Sequence, residues 1–147
     1  VKTPFAITLG VGSSLANRTG IWRVNRPVFV DRVAPCHEGC PAGENIQRWL
    51  YLASSEDYHG AWLEIVADNP FPSISGRLCD HPCESVCHRG RMDGAVGVHG
   101  IEAFLGDQAI SEGWQLPDPP EVSGPRVLIV GSGPVGLAAA YHLRRLG

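Results

Sequence analysis

The chain has 147 residues, and at roughly 100–200 residues per domain that length allows one domain and a fragment of another. Its 44% apolar content excludes wholesale disorder, a net charge of −3 offers no basic excess for nucleic acid, and no apolar run approaches the ~20 residues that span a bilayer. The unusual content is 18 Gly, 12 Pro and 5 Cys, with every cysteine inside the segment Cys36–Cys87.

Residues 1–35 carry scattered Gly and Pro without a sustained period and are expected to form an extended lead-in, with a short strand at Val28-Phe29-Val30. The start, Val1-Lys2-Thr3-Pro4, shows no basic or long apolar leader. Five thiols in such a chain suggest metal ligation, whereas a disulfide frame would leave one unpaired; the expected compartment is the cytoplasm.

Helical patterning begins after Pro41, where Ile46, Trp49, Leu50 and Ala53 fall at i, i+3, i+4, i+7 and Pro41 suits a first turn. The same spacing in Tyr58, Ala61, Trp62 and Ile65 predicts a second helix from about Glu56 to Ala67, capped by Ser55 and stopped by Asn69-Pro70. A cysteine-rich turn covers Gly76 to Arg91. A third helix over about Val98–Glu112 aligns Val98, Ile101, Leu105 and Ala109. Four prolines within Leu116–Pro125 mark a stiff linker, part of a seam at 114–125. Beyond it, Arg126-Val127-Leu128-Ile129-Val130 reads as a buried parallel strand and Leu137–Leu146 as a helix. His59 and His142 lie in helical stretches and read as surface or packing residues.

The thiols are spaced Cys36-x3-Cys40-Pro41 and Cys79-x3-Cys83-x3-Cys87. Three intervening residues set successive sulfurs on one side of a helical turn, so they can converge on a compact centre. Zinc fits this spacing loosely, with His37, His81 and His88 as nitrogen donors, and would make the chain a stapled interaction domain. The Cys40-Pro41 pair matches the tail of the ferredoxin-type iron–sulfur motif better. Proline there fixes φ and opens a helix whose free N–H groups would face the sulfurs. Four ligands can be drawn from five thiols in five ways, and spacing alone selects none of them; structural or redox thiols are the remaining reading.

Gly131-Ser132-Gly133-Pro134-Val135-Gly136 matches GxGxxG between the predicted strand and helix, the setting of a dinucleotide site. Gly131 permits the turn, Gly133 admits pyrophosphate to the backbone, and Gly136 allows close packing of helix on strand. The acidic residue that meets the ribose, roughly 20 residues farther on, lies past Gly147. A lone strand cannot make a sheet, so the chain is expected to be the N-terminal piece of a longer flavoprotein.

Pro35–Pro41, with Gly76–Cys87, Asn69-Pro70-Phe71-Pro72 and Ile101-Glu102-Ala103-Phe104, resembles the N-terminal iron–sulfur domain of the glutamate synthase small subunit and of dihydropyrimidine dehydrogenase. The resemblance implies a mainly α, helical ferredoxin-like domain over 36–113, followed at 126–147 by the first β-α unit of an incomplete Rossmann-type FAD domain. It implies [4Fe–4S] clusters here, and FAD and NAD(P)H in the complete protein. Carried over residue by residue, one cluster takes Cys40, Cys79, Cys83 and Glu102. A second would take Cys36 and Cys87 with two upstream thiols, but those positions are Val28 and Asp31, so one cluster is expected. The implied function is electron transfer between nicotinamide, FAD and a partner subunit, either glutamate synthase large-subunit-like or a 2-oxoacid oxidoreductase. The missing thiols favour the latter. No residue resembles a general acid, base or nucleophile.

Overall fold

The computed structural model describes residues 33–122 and 124–147, which are mainly helical. The lead-in before Val33, including the strand expected at Val28–Val30 and the positions Val28 and Asp31, lies outside the described residues. Seven α-helices appear among the described residues: α1 (Pro35–Gly39), α2 (Ile46–Ser54), α3 (Tyr58–Val66), α4 (Pro72–Leu78), α5 (Pro82–Ser85), α6 (Val98–Glu112) and α7 (Pro134–Arg145). A 3-10 turn, His88–Arg91, links α5 towards α6.

Local chemistry sets most of the boundaries. Proline occupies the first turn of α1, α4, α5 and α7, where its missing N–H costs nothing. Asn45 caps α2 by accepting from Arg48 N at 3.3 Å, so Pro41 does not open that helix but lies in the turn before it. Asp57, not Ser55, caps α3, accepting from Gly60 N at 2.9 Å. Ser55 instead ends α2, because Glu56 adopts a left-handed φ of 64° that breaks the helix between the two. The third expected helix appears with its predicted bounds, closed by Gly113 and the bond from Trp114 N to Ala109 O at 2.9 Å.

Ile46 and Trp49 of α2, Ala61 and Ile65 of α3, Cys83, and Val98 and Leu105 of α6 form the main core. A second cluster joins Trp62, Val66 and Ala109 to Trp114, at the start of the proline-rich seam; His59 packs there, its ring centroid 5.0 Å from that of Trp114. The tightest interface is α4 against α6, and two glycines make it. A Cβ on Gly76 would stand 2.5 Å from Ala103 N, and one on Gly106 would stand 2.2 Å from Ser73 N. The two backbones therefore touch directly, which no larger residue permits.

Among the described residues no strand forms. Arg126–Val130 has no strand partner, and Leu128 is 87% and Val130 91% exposed while Ile129 is half-buried beside α7. The apolar pattern suits a strand, but a strand exists only through its ladder partners. The helix that follows begins at Pro134 rather than Leu137. It is tied to the core through Tyr141, whose hydroxyl donates to Val66 O at 2.6 Å, and through Arg145, which donates to Ala67 O. None of the described helices is long and apolar enough to cross a membrane.

Candidate metal centre

The chain changes direction at the cysteine blocks, where Cys83 is buried, Cys36, Cys40 and Cys87 are half-buried and Cys79 is exposed. Cys40 ends α1 in extended conformation, and the Pro41 turn folds the backbone N–H groups of Glu44, Ala42 and Gly43 towards its sulfur. Burial pushes the Cys40 thiol up, and those three N–H groups oppose the shift by favouring thiolate. The donors expected from a helix start are thus present, but a turn supplies them. Cys79 ends α4, also extended, and its Sγ accepts from His81 N at 3.4 Å. Cys83 lies in α5 and is buried; burial first, then the charges of Cys40, Glu84 and Cys79, push its thiol up to about 11.

Cys40, Cys79 and Cys83 line one cavity of about 360 Å³, and Glu102 lines it with them. Cys36 and Cys87 do not. Cys36 packs against the main core, while the N–H of Val96, then that of Arg89, holds Cys87 below its ordinary thiol value. Of the six sequence-derived candidates, the fold brings four together and leaves two apart.

Glu102 is only 5% exposed, unlike the usual solvated helix glutamate. Ser75 Oγ donates to its Oε1 at 2.5 Å and Asn69 Nδ2 to the same oxygen at 2.7 Å. Oε2 takes no hydrogen bond from the described residues. Asn69 also donates to Glu44 Oε1 at 2.9 Å, and Trp49 Nε1 donates to Glu44 Oε2 at 3.2 Å. Two hydrogens on Nδ2 suffice for the two carboxylates, and the close Ser75 hydroxyl has two acceptors for its own proton, Glu102 Oε1 at 2.5 Å and Phe71 O at 2.9 Å. Burial, then the charge of Glu102, raises the Glu44 carboxyl to about 7. Burial likewise raises Glu102, opposed by Ser75 and by the charge of His81. Glu44, Asn69 and Ser75 were not legible as site residues; Asn69 carried the signal of a helix stop and a place in the Asn69-Pro70-Phe71-Pro72 motif.

The cavity wall is largely apolar, from residues such as Pro41, Ile46, Phe71, Val98 and Val135, and the three thiols with the buried Glu102 carboxyl are the donors set into it. Among the described residues no three His, Cys, Asp or Glu side chains converge closely enough to hold a single metal ion. A zinc ion draws all its donors to ~2.3 Å of one atom. A four-iron cluster takes one donor per iron at separate corners, so its donors need not meet at one atom.

The opposite wall of the cavity belongs to α7: Pro134, Val135, Ala138 and His142. His142 is therefore a cavity residue, not a plain surface one. The loop before α7 holds Gly131 at φ 122°, with Gly133 as N-cap and Pro134 in the first turn. A Cβ on Gly136 would stand 2.2 Å from Gly131 O, so this glycine is required for the loop to fold back on its helix.

Residues 24–114 match a protein family described as dihydropyrimidine dehydrogenase domain II, 4Fe–4S cluster. The chain is 42% identical over 110 residues to glutamate synthase [NADH] of Schizosaccharomyces pombe, covering 74% of this chain and 5% of that protein. It is 43% identical over 113 residues to the glutamate synthase [NADPH] small chain of Mycobacterium tuberculosis, covering 76% and 23%. It is 37% identical over 134 residues to the NADPH-Fe(3+) oxidoreductase subunit beta of Geobacter sulfurreducens, covering 88% and 20%. The chain thus spans less than a quarter of each of these relatives.

Proposed function

The chain belongs to the dihydropyrimidine dehydrogenase domain II, 4Fe–4S cluster family, and we propose that it is the iron–sulfur electron-transfer part of an FAD-dependent NAD(P)H oxidoreductase of the glutamate synthase small-subunit type. Cys40, Cys79, Cys83 and Glu102 hold one [4Fe–4S] cluster. The observation that carries this reading is the single cavity lined by those four residues, with Glu102 buried and oriented by Ser75 and Asn69. Cys36 and Cys87 are remnants of a second ligand set.

The cofactors, when bound, would supply the redox chemistry, two-electron hydride transfer between nicotinamide and FAD and one-electron transfer at the cluster. This chain's residues supply placement. The turn at Ala42–Glu44 directs N–H groups at Cys40, lowering the cost of its negative charge. Residues Gly131, Ser132, Gly133, Pro134 and Gly136 cradle the pyrophosphate of the dinucleotide at the open N-terminus of α7. Because α7 also lines the cavity, the two cofactor sites would share one helix.

In this reading 36–113 is the cluster domain, 114–125 the linker, and 126–147 the first β-α unit of the FAD domain, its strand completed by the rest of the protein. The partner is an oxidoreductase subunit, glutamate synthase large-subunit-like or a 2-oxoacid oxidoreductase. The compartment is the cytoplasm, where thiols stay reduced. The test is iron, sulfide and zinc analysis with EPR of the dithionite-reduced, anaerobically purified full-length protein. About four irons and four sulfides per chain are expected. A colourless protein with stoichiometric zinc would defeat the proposal in favour of a zinc-stapled interaction domain.

A further inference from the structure

One ring nitrogen in the cavity region has no partner. His81 Nε2 is buried, and it makes no hydrogen bond with the described residues. An orphaned buried polar atom is unfavourable and calls for a partner that the protein itself does not provide. His81 lines the cavity shared by Cys40, Cys79, Cys83 and Glu102 as well as a second one beside Glu84 and His99, and the occupant of the first is a partner within its reach.

The rest of the residue is held in place at some cost. His81 has φ 49° and ψ 56°, a left-handed conformation unusual for a non-glycine, directly before a proline that further restricts it. The conformation lets its backbone N–H donate to Cys79 Sγ at 3.4 Å. It also sets the imidazole against the ring of His99, centroids 5.0 Å apart. His99 is itself fixed by Glu84 Oε1, 2.7 Å from its Nδ1 and 2.9 Å from its backbone N. The ring is thus oriented by its neighbours before anything binds.

We propose that His81 donates a hydrogen bond from Nε2–H to a sulfur of the cluster held in this cavity, raising the reduction potential of that cluster. The proposal rests on the cluster reading above. Reduction adds one negative charge, and a donor aimed at sulfur stabilises the more negative state more strongly. His81 is accordingly a positioning residue that acts on the potential without ligating iron.

The test compares full-length wild-type protein with His81→Leu and His81→Gln. Three quantities are read: iron and sulfide content, the potential from an EPR-monitored titration, and pulsed-EPR coupling in protein labelled with 15N-histidine. Expected are unchanged cluster content, a lower potential in His81→Leu, and recovery towards the wild-type value in His81→Gln, whose amide restores a donor. A weakly coupled histidine nitrogen in wild type should vanish in His81→Gln, and this arm holds even where His81→Leu does not fold. An intact cluster with unchanged potential in His81→Leu overturns the hydrogen bond. So does a strong coupling of the kind given by iron-bound nitrogen, or the absence of any coupled histidine nitrogen. Wild-type protein free of iron and sulfide instead defeats the cluster reading, so the two failures are told apart.

Discussion

The side-chain amide of Asn69 donates to Glu102 Oε1 at 2.7 Å, a bond that joins the approach to α4 with the middle of α6 across 33 residues of sequence. The same amide reaches Glu44 Oε1 at 2.9 Å, so one neutral side chain separates two buried carboxyls. Its own Oδ1 accepts from Phe71 N at 3.0 Å, a local turn that fixes where the amide points.

Asn69→Ala should therefore destabilise the protein by about 1.5–3 kcal/mol, the range for a hydrogen bond to a charged group. Asn69→Asp should cost more, because it places a third carboxyl between the other two. Urea unfolding followed by cluster absorbance measures both. Equal midpoints for wild type and Asn69→Asp would show that the amide does not bridge the acids.

The ligand set makes a sharper claim. Serine at Cys40, Cys79 or Cys83 should abolish the cluster, whereas Cys36→Ser and Cys87→Ser should leave about four irons per chain. Glu102→Ala should change the EPR spectrum and potential, since a carboxylate is a harder donor than thiolate. An unaltered cluster in Glu102→Ala removes Glu102 from the set, and loss of iron in Cys36→Ser or Cys87→Ser restores that thiol to it.

Glycines in α4 and α6 should respond in opposite directions. Gly76→Ala and Gly106→Ala drive a Cβ into facing backbone at 2.5 Å and 2.2 Å, and the overpacking should cost about 1–3 kcal/mol or more. Gly100, also in α6, faces open space, so Gly100→Ala should stabilise by about 0.5–1 kcal/mol through helix propensity. Thermal midpoints of the three variants check the contrast. A neutral Gly106→Ala would mean the helices stand farther apart.

Asp107 supplies a pH dependence remote from the cavity. The hydrogen bonds from Arg77, then Ser73, hold its carboxyl at about 2, below the ordinary 3.8. A depressed folded value means the contribution to stability is full above pH 3.8 and is lost as pH falls towards about 2. Both side chains are about half exposed, so the contribution is small and screened by salt. Carboxyl NMR titration of wild type and Arg77→Ala measures it. Asp107 should titrate nearer 3.8 in the variant, and an unmoved value would assign the shift to Ser73 alone.

The helices that bury a long stripe were legible from their own residues. Val98, Leu105 and Ala109 repeat at helical spacing up to Gly113, and α6 forms over the stretch they mark. Helices α1, α4 and α5 were not, because they have 5, 7 and 4 residues, too few for a period to show. The segment from Pro72 to Leu78 carries Ser73, Ser75 and Gly76, residues that read as turn when their packing against α6 is unknown. Arg126–Val130 erred in the other direction. Its β-branched residues state a preference, and the preference becomes a strand only beside a partner strand.

The cysteine spacing, the Cys40-Pro41 pair and the glycine loop carry the chemistry in one dimension, since ligand type and turn geometry depend on residues near in sequence. That much required no fold. Which thiols share a cavity, and whether Glu102 is a solvated charge or a buried one, depend on helices brought together from distant parts of the chain. Gly76 and Gly106 let α4 press onto α6 until Ser75 and Asn69 reach Glu102. Cys40, Cys79 and Cys83 then line one cavity with Glu102, and Cys36 and Cys87 do not line it. Burial and close approach are sums over non-local contacts, so packing decided that three of the five thiols line one cavity with a buried Glu102 and that two do not.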